Sequence, residues 1–321
     1  MRPVLRPGTH VLRRGPRLLQ VGLDPSSAVV LTDSPAVRVS LGLLAGSAEA
    51  GAHPDPWTLE VLARHDALID ERDLRPHPLG VPARQRHGSS ADPPTDPPTG
   101  PSAGPSADAA GLSAVATAAL VREAGGGAAA ALAARAAWRT ETRTFGHPSA
   151  AGLRDSFVDL AARAGLREAA PRRTSPPDCG VLVGVGEPER DLLDGWTRSG
   201  TPYLLVRLTE GRAVVGPFVL PGTTACLRCV DAHRTDLDPA WPLLVRQYAA
   251  AAEHDRADGA SEPVDPLLAA LAVAWAARDL ASYVDGGRPS TWSSTVTLHP
   301  RLARLETRTW LRHPACGCCW G

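Results

Sequence analysis

Two cysteine clusters carry the most specific chemistry in this 321-residue chain. Cys226 and Cys229 stand two residues apart at the head of the run Leu227-Arg228-Cys229-Val230-Asp231-Ala232-His233. About 90 residues later, His313-Pro314-Ala315-Cys316-Gly317-Cys318-Cys319 supplies a second group. A two-residue spacer lets two thiolates wrap one tetrahedral ion, and a second cluster completes the ligand count of a zinc site. Cys226, Cys229 and Cys316 are the constant members, with Cys318 or Cys319 as the fourth ligand. Four thiolates close the coordination shell, so the expected role of Zn2+ is structural. His233 and His313 lie close enough in sequence to support the ligands, and Cys179 opens an apolar run and reads as a core residue.

A second motif is weaker. Gly125-Gly126-Gly127-Ala128-Ala129-Ala130 matches the G-x-G-x-x-A pattern that brings a backbone close to a phosphate, provided a strand precedes it and a helix follows. Residues 118 to 123 are the candidate strand and the alanine-rich run to Trp138 the helix. The acid that should follow a second strand is missing near Thr144-Phe145-Gly146-His147-Pro148, where none occurs before Asp155. ATP binding at Gly125, Gly126 and Gly127 is therefore expected to be degenerate. No Gly-x-Ser-x-Gly occurs and no cysteine outside the clusters stands beside a histidine, so no catalytic residue is assigned. The Asp231, His233, Asp236 and Asp238 run reads as a solvated helix start.

Composition narrows the classes. The 34 basic residues are all arginine and balance 34 Asp and Glu; lysine and asparagine are absent. A neutral chain offers no global field for nucleic acid or an anionic membrane. The missing lysine removes a Schiff base or a phosphate-loop cation. The start, Met1-Arg2-Pro3-Val4-Leu5-Arg6, is not followed by a signal-peptide core. The apolar stretch Leu267 to Ala277 is too short to span a bilayer. A cytoplasmic location is expected.

The elements that must position these groups fall into two parts. His10 to Arg14, Arg17 to Leu23 and Ala28 to Leu31 read as three short strands separated by turns. Helices follow around Val37 to Ala45 and, after Asp55-Pro56, from Trp57 to about Leu68. This is the make-up of a winged-helix-like α+β module over 1–79. Its nine Arg and nine Asp plus Glu argue against DNA. Residues 80–110, rich in Pro, Ser, Gly and Ala without periodicity, read as a disordered linker. From 111 to 321 the chain alternates strands (Thr140 to Phe145, Cys179 to Val185, Tyr203 to Leu208, Val214 to Leu220) with helices (Ser149 to Ala164, Asp191 to Arg198). That rhythm predicts an α/β domain, a Rossmann-like parallel sheet with helices on both faces. A charged segment at 251–263, a helix from Asp265 to Val284 and a hairpin, Trp292 to Leu298 with Arg304 to Trp310, lead into the last cysteines.

At this point the chain resembles a known family. Val215-Gly216-Pro217-Phe218-Val219-Leu220-Pro221-Gly222, running into the first cysteine pair, and the terminal His313-Pro314-Ala315-Cys316-Gly317-Cys318 resemble azole-peptide (bacteriocin-biosynthesis) cyclodehydratase-domain proteins. These are divergent members of the ThiF/MoeB, ubiquitin-activating-type superfamily, and the resemblance covers residues from about 112 onward. The N-terminal part resembles their winged-helix leader-recognition element through Leu18 to Pro25. The resemblance implies zinc on the cysteines already named. It implies a precursor peptide added to the strand Ala28, Val29, Val30 and Leu31, with the Trp57 helix as the other wall. It further implies an ATP-dependent cyclodehydratase partner and, since superfamily members often pair, a homodimer. Its enzymatic version adenylates a C-terminal carboxylate with ATP.

Overall fold

The computed structural model describes residues 2–46, 52–74, 114–169, 176–252, 263, 265–302 and 304–318. The expected linker (80–110), Cys319 and most of 251–263 lie outside them.

The N-terminal module is built from β1 (Pro3–Leu5), β2 (Val11–Arg13), β3 (Leu18–Val21), β4 (Val29–Thr32), α1 (Pro35–Leu44), α2 (Pro56–Arg64) and β5 (Leu68–Asp70). The three expected strands form an antiparallel sheet in the order β2-β3-β4. Proline opens both helices. Ser34 and Asp55 cap them, accepting from the Val37 and Thr58 amides. Leu19, Val21, Val29 and Leu31 face Val37, Leu41, Leu44 and Leu62 in one core. The pairing of β1 with β5 had no signal in the sequence, since three-residue strands are too short to show a period.

The second part opens with α3 (Ala114–Ala124) and α4 (Ala128–Ala137). The strand expected over 118–123 is thus helical. Ala, Leu, Arg and Glu favour helix there, and within 118–123 only Val121 is β-branched. Then come β6 (Arg139–Gly146), α5 (Ala150–Arg163), β7 (Arg167–Glu168), β8 (Cys179–Val185), α6 (Asp194–Arg198), β9 (Tyr203–Thr209) and β10 (Arg212–Val219). They are followed by α7 (Leu227–Leu237), α8 (Trp241–Ala251), α9 (Pro266–Val284), β11 (Ser294–Leu298) and β12 (Leu305–Thr309). The seven-stranded sheet runs β12-β11-β10-β9-β8-β6-β7. Strands β7, β6, β8 and β9 are parallel, whereas β10, β11 and β12 are antiparallel additions. The sheet is mixed where a parallel one was expected, because Glu210-Gly211 joins β9 to β10 as a tight hairpin with no crossover helix.

Period-two alternation sends the two sides of the sheet to different cores. Val181, Val183, Leu204, Val206 and Leu208 pack with Phe157 of α5 and with α9. Leu182, Tyr203 and Leu205 pack with Trp196 of α6, with Leu227, Cys229 and Val230 of α7, and with Trp310. Helix α9 has the length and hydropathy of a membrane span, yet 56% of its most apolar window is buried within the fold.

The module is docked. Leu12 and Leu23 join Trp241, Leu244, Val245 and Tyr248 in a separate apolar cluster. Around it Arg14 forks onto Asp238 at 2.8 Å twice, and Gln247 bridges the Arg13 backbone N–H and C=O. Glu210 accepts from the Leu23 and Asp24 amides at 2.5 and 2.8 Å, and Arg212 pairs with Asp24.

Burial alone would raise the Asp24 carboxyl; hydrogen bonds from Ser26 and the Arg212 charge outweigh it and hold the group below its ordinary range. A depressed carboxylate stabilises the fold above its unfolded pKa of about 3.9 and loses that contribution as pH falls towards the lower folded value. Asp24→Asn should therefore lower the urea midpoint at pH 7 and shrink the loss of stability between pH 5 and pH 3.

Candidate metal centre and the adjoining cleft

Strand β10 ends at Val219, and a turn in which Leu220 Oand Thr224 Oγ1 take the Thr223, Thr224 and Leu220 amides aims the chain at α7. Cys226 is the N-cap residue of α7 and Cys229 lies in its first turn, so both sulfurs fall on one side of the helix start. The other half arrives from β12. Trp310 is buried, donates its indole N–H to Thr295 Oγ1 at 3.0 Å and its amide to Ser293 O at 2.7 Å. Arg312 reaches the Gly222 carbonyl, and a one-turn 3-10 helix, Pro314–Cys316, presents the next sulfur. Gly317 adopts φ 76°, a left-handed turn that swings Cys318 back to the cluster.

The Sγ–Sγ distances are 3.8 Å for Cys226–Cys229 and 3.4 Å for both Cys226–Cys316 and Cys229–Cys318. All four lie within 4.8 Å of one another, and none is in a disulfide. A tetrahedral ion with bonds of about 2.3 Å needs sulfurs about 3.8 Å apart, so this donor set fits a metal ion. The four thiols hold one another unequally. Cys229 is pushed down by donation from Cys226 and Cys316 and from the His313 amide at 3.3 Å, while Cys226 is pushed up by its own bonds to Cys229 and Cys316. Cys179 belongs to the opposite core, fully buried, its thiol raised by that burial.

The two histidines fasten the segment that follows β12, residues 311–318, here called the strap. His313 accepts the Ala315 amide at Nδ1 and meets Asp236 at Nε2 (2.9 Å), and His233 Nε2 donates to the Leu311 carbonyl at 2.9 Å. Of the acids in this run Asp236 is exposed, while Asp231 and Asp238 are half-buried in ion pairs. Asp231 takes the Arg190 fork at 2.6 and 2.8 Å and the Trp241 indole N–H at 2.9 Å. Burial pushes its carboxyl up, and the Arg190 bonds prevail and hold it low. Beside the sulfurs a cleft of about 450 Å³ is lined by Arg190, Asp191, Arg228, Asp231, Arg246 and Cys316. Arg228 in turn bridges Asp191 and Asp194.

The glycine run does not sit at a strand end. Gly125, Gly126 and Gly127 form a 3-10 turn joining helices α3 and α4, with open space around them. The strand–glycine–helix unit lies further on: β6 ends at Gly146, φ 72°, and α5 follows. A Cβ at Gly146 would stand 1.8 Å from the Val185 carbonyl oxygen, so glycine is required for β6 to close on β8. The acid after the second strand is Glu168, at the end of β7. Counting from the wrong first strand hid it; the Gly146–Glu168 spacing was the available signal. Its carboxylate already accepts the Thr142 amide and hydroxyl at 2.9 and 2.8 Å and pairs with Arg154.

Of the residues named for peptide binding, Val29 and Leu31 face the module core, Val30 is 46% and Trp57 53% exposed, and Ala28 precedes β4. No protein-family model matches the chain. No curated protein matches it either. Solved structures do. A heterocyclase in complex with substrate and cofactor aligns over 99% of this chain and 39% of its own, at 17% identity and a TM-score of 0.52. The heterocyclase TruD aligns over 99% and 42%, at 17% identity and a TM-score of 0.50. This chain shares the fold of the aligned part of those two proteins. It spans about two fifths of the length of those two proteins. E. coli MccB, in a crystal with MccA, matches over 100% of both chains at 11% identity and a TM-score of 0.46.

Replacing Cys226 or Cys229 by serine should reduce bound metal, measured by elemental analysis of chelator-free protein, from about one ion per chain to a small fraction. The melting temperature should fall with it.

Proposed function

We propose that this protein is a zinc-clamped accessory protein of azole-type peptide modification, which captures a precursor peptide on its N-terminal module for a partner ATP-dependent cyclodehydratase. One observation carries the reading: the free edge of β4. Asp33 donates to the Arg17 carbonyl and Gly22 to that of His10, so in the alternating ladder Val29 and Leu31 bond to β3. The amides and carbonyls of Val30 and Thr32 then face outward, and among the described residues no strand pairs with them. An extended peptide can complete that edge, main-chain bonds supplying affinity and exposed Val30 and Trp57 supplying side-chain contacts. The two heterocyclases support this reading through their shared fold, and one is described with its substrate. Their remaining length has no counterpart in these 321 residues, and the ATP chemistry is assigned to the partner. Zinc is the ion chosen, because a four-thiolate set of this size suits it.

Fluorescence polarisation with a labelled precursor peptide, identified as a short Cys/Ser/Thr-rich product of a neighbouring gene, tests the capture. Val30→Pro removes an outward N–H that β3 does not use, a change edge strands tolerate. It should weaken binding about tenfold while leaving the melting temperature within a few degrees. Unchanged binding in this variant, or no binding by the parent, would exclude strand capture at β4.

The placement of Gly146 and Glu168 favours a second reading, an adenylyltransferase acting on a C-terminal carboxylate. It predicts ATP–pyrophosphate exchange that Glu168→Gln abolishes. The engagement of Glu168 by Thr142 and Arg154, and the absence of lysine and asparagine from the chain, favour the first reading and no exchange.

A further inference from the structure

Between the docked module and the sheet lies another cavity, of about 410 Å³. Its walls come from the turn at 23–26, from β9 to β12 and α7, and from the indoles of Trp241 and Trp310. Five carboxylates reach it, and each has a cation. Asp24 and Glu210 pair with Arg212, Asp238 with Arg14, Glu187 with Arg207 and Arg190, and Glu306 with Arg304.

Three of the arginines at the cavity keep donors to spare. Arg207 is 3% exposed; one terminal nitrogen meets Glu187 at 2.7 Å, but its buried Nε has no hydrogen-bond partner. Arg234 and Arg308 make no ion pair among the described residues. Their guanidinium carbons lie 4.3 and 4.0 Å from the ring centroids of Trp241 and Trp310. A guanidinium stacked on an indole keeps its N–H donors free in its own plane. Burial pulls Arg234 down to about 10, with Arg207 and Arg308 pushing the same way and Glu187 and Asp231 opposing. Three guanidiniums from three elements thus border one cavity with donors to spare, and the desolvation cost falls on the Nε of Arg207, which is buried without a partner.

We propose that this cavity binds a phosphate-type dianion, held by Arg207, Arg234 and Arg308 between the rings of Trp241 and Trp310. One planar fork suffices for a carboxylate, whereas a tetrahedral dianion offers acceptors to several guanidiniums at once. The site is independent of peptide capture at β4.

Titration calorimetry of the full chain with inorganic phosphate, at constant ionic strength, should show one saturable site. Arg234→Gln and Arg308→Gln should each weaken it about tenfold or more. Arg308 lies exposed on an edge strand, so its variant keeps the fold. Phosphate should raise the melting temperature of the parent and not that of Arg234→Gln. Phenyl phosphate run in parallel identifies the source: tighter binding assigns the site to a phosphate ester on a planar group, equal or weaker binding to the free ion. Acetate binding as tightly as phosphate, no saturable heat, or full affinity in both variants would overturn the proposal.

Discussion

The joint between the N-terminal module and the α/β domain is the interaction on which the surrounding structure depends. Glu210, in the hairpin that joins β9 to β10, takes two backbone amides of the 23–24 turn. A carboxylate receiving two amides fixes both position and angle, which a purely apolar contact would not. The Arg14–Asp238 fork and the Leu12–Trp241 cluster then close the gap on either side. Because that turn leads directly into β4, the direction of the free edge and the walls of the arginine-lined cavity are set together.

Arginine does work here that lysine does not do. Arg14, Arg190 and Arg135 each grip a carboxylate with two nitrogens, on Asp238, Asp231 and Asp285. The planar fork matches the two carboxylate oxygens, and a lysine ammonium is a point charge without that register. The same property allows Arg234 and Arg308 to lie flat on indole rings. A chain whose 34 Lys and Arg positions are all arginine also buries a pair beside its sheet, Arg207 with Glu187, at 3% and 5% exposure.

Much of this was legible in the residues. The continuous apolar runs of β8 and β9 identified buried strands. Asp265-Pro266 and Gly286 bracketed α9, and the cysteine spacing identified the cluster that the fold assembles. The failures have physical causes. Residues 118–123 carry too few β-branched side chains to hold a strand, and misplacing it shifted the strand count by one, hiding Gly146 and Glu168. Arg139 to Gly146 alternates charged and hydroxyl residues, so its place inside the sheet rests on neighbours such as Val181 and Val183 that lie far along the chain. The arginine trio at the cavity had no sequence signal at all, because Arg207, Arg234 and Arg308 meet only through the folding of β9, α7 and β12.

The cluster that joins α7 to the strap draws its sulfurs from positions 226 and 229 on one side and 316 and 318 on the other. Its ligand set cannot be complete until residue 318 has left the ribosome. By then β6, β8, β9 and β10 have already been synthesised, together with the hairpin that carries Trp310. Closing so long a loop is an entropic cost met late, when the sheet has brought the two halves near each other. An ion taken up by these sulfurs would then act as a late latch on a sheet already made, and a chain starved of it would carry a native-like sheet with segment 311–318 loose.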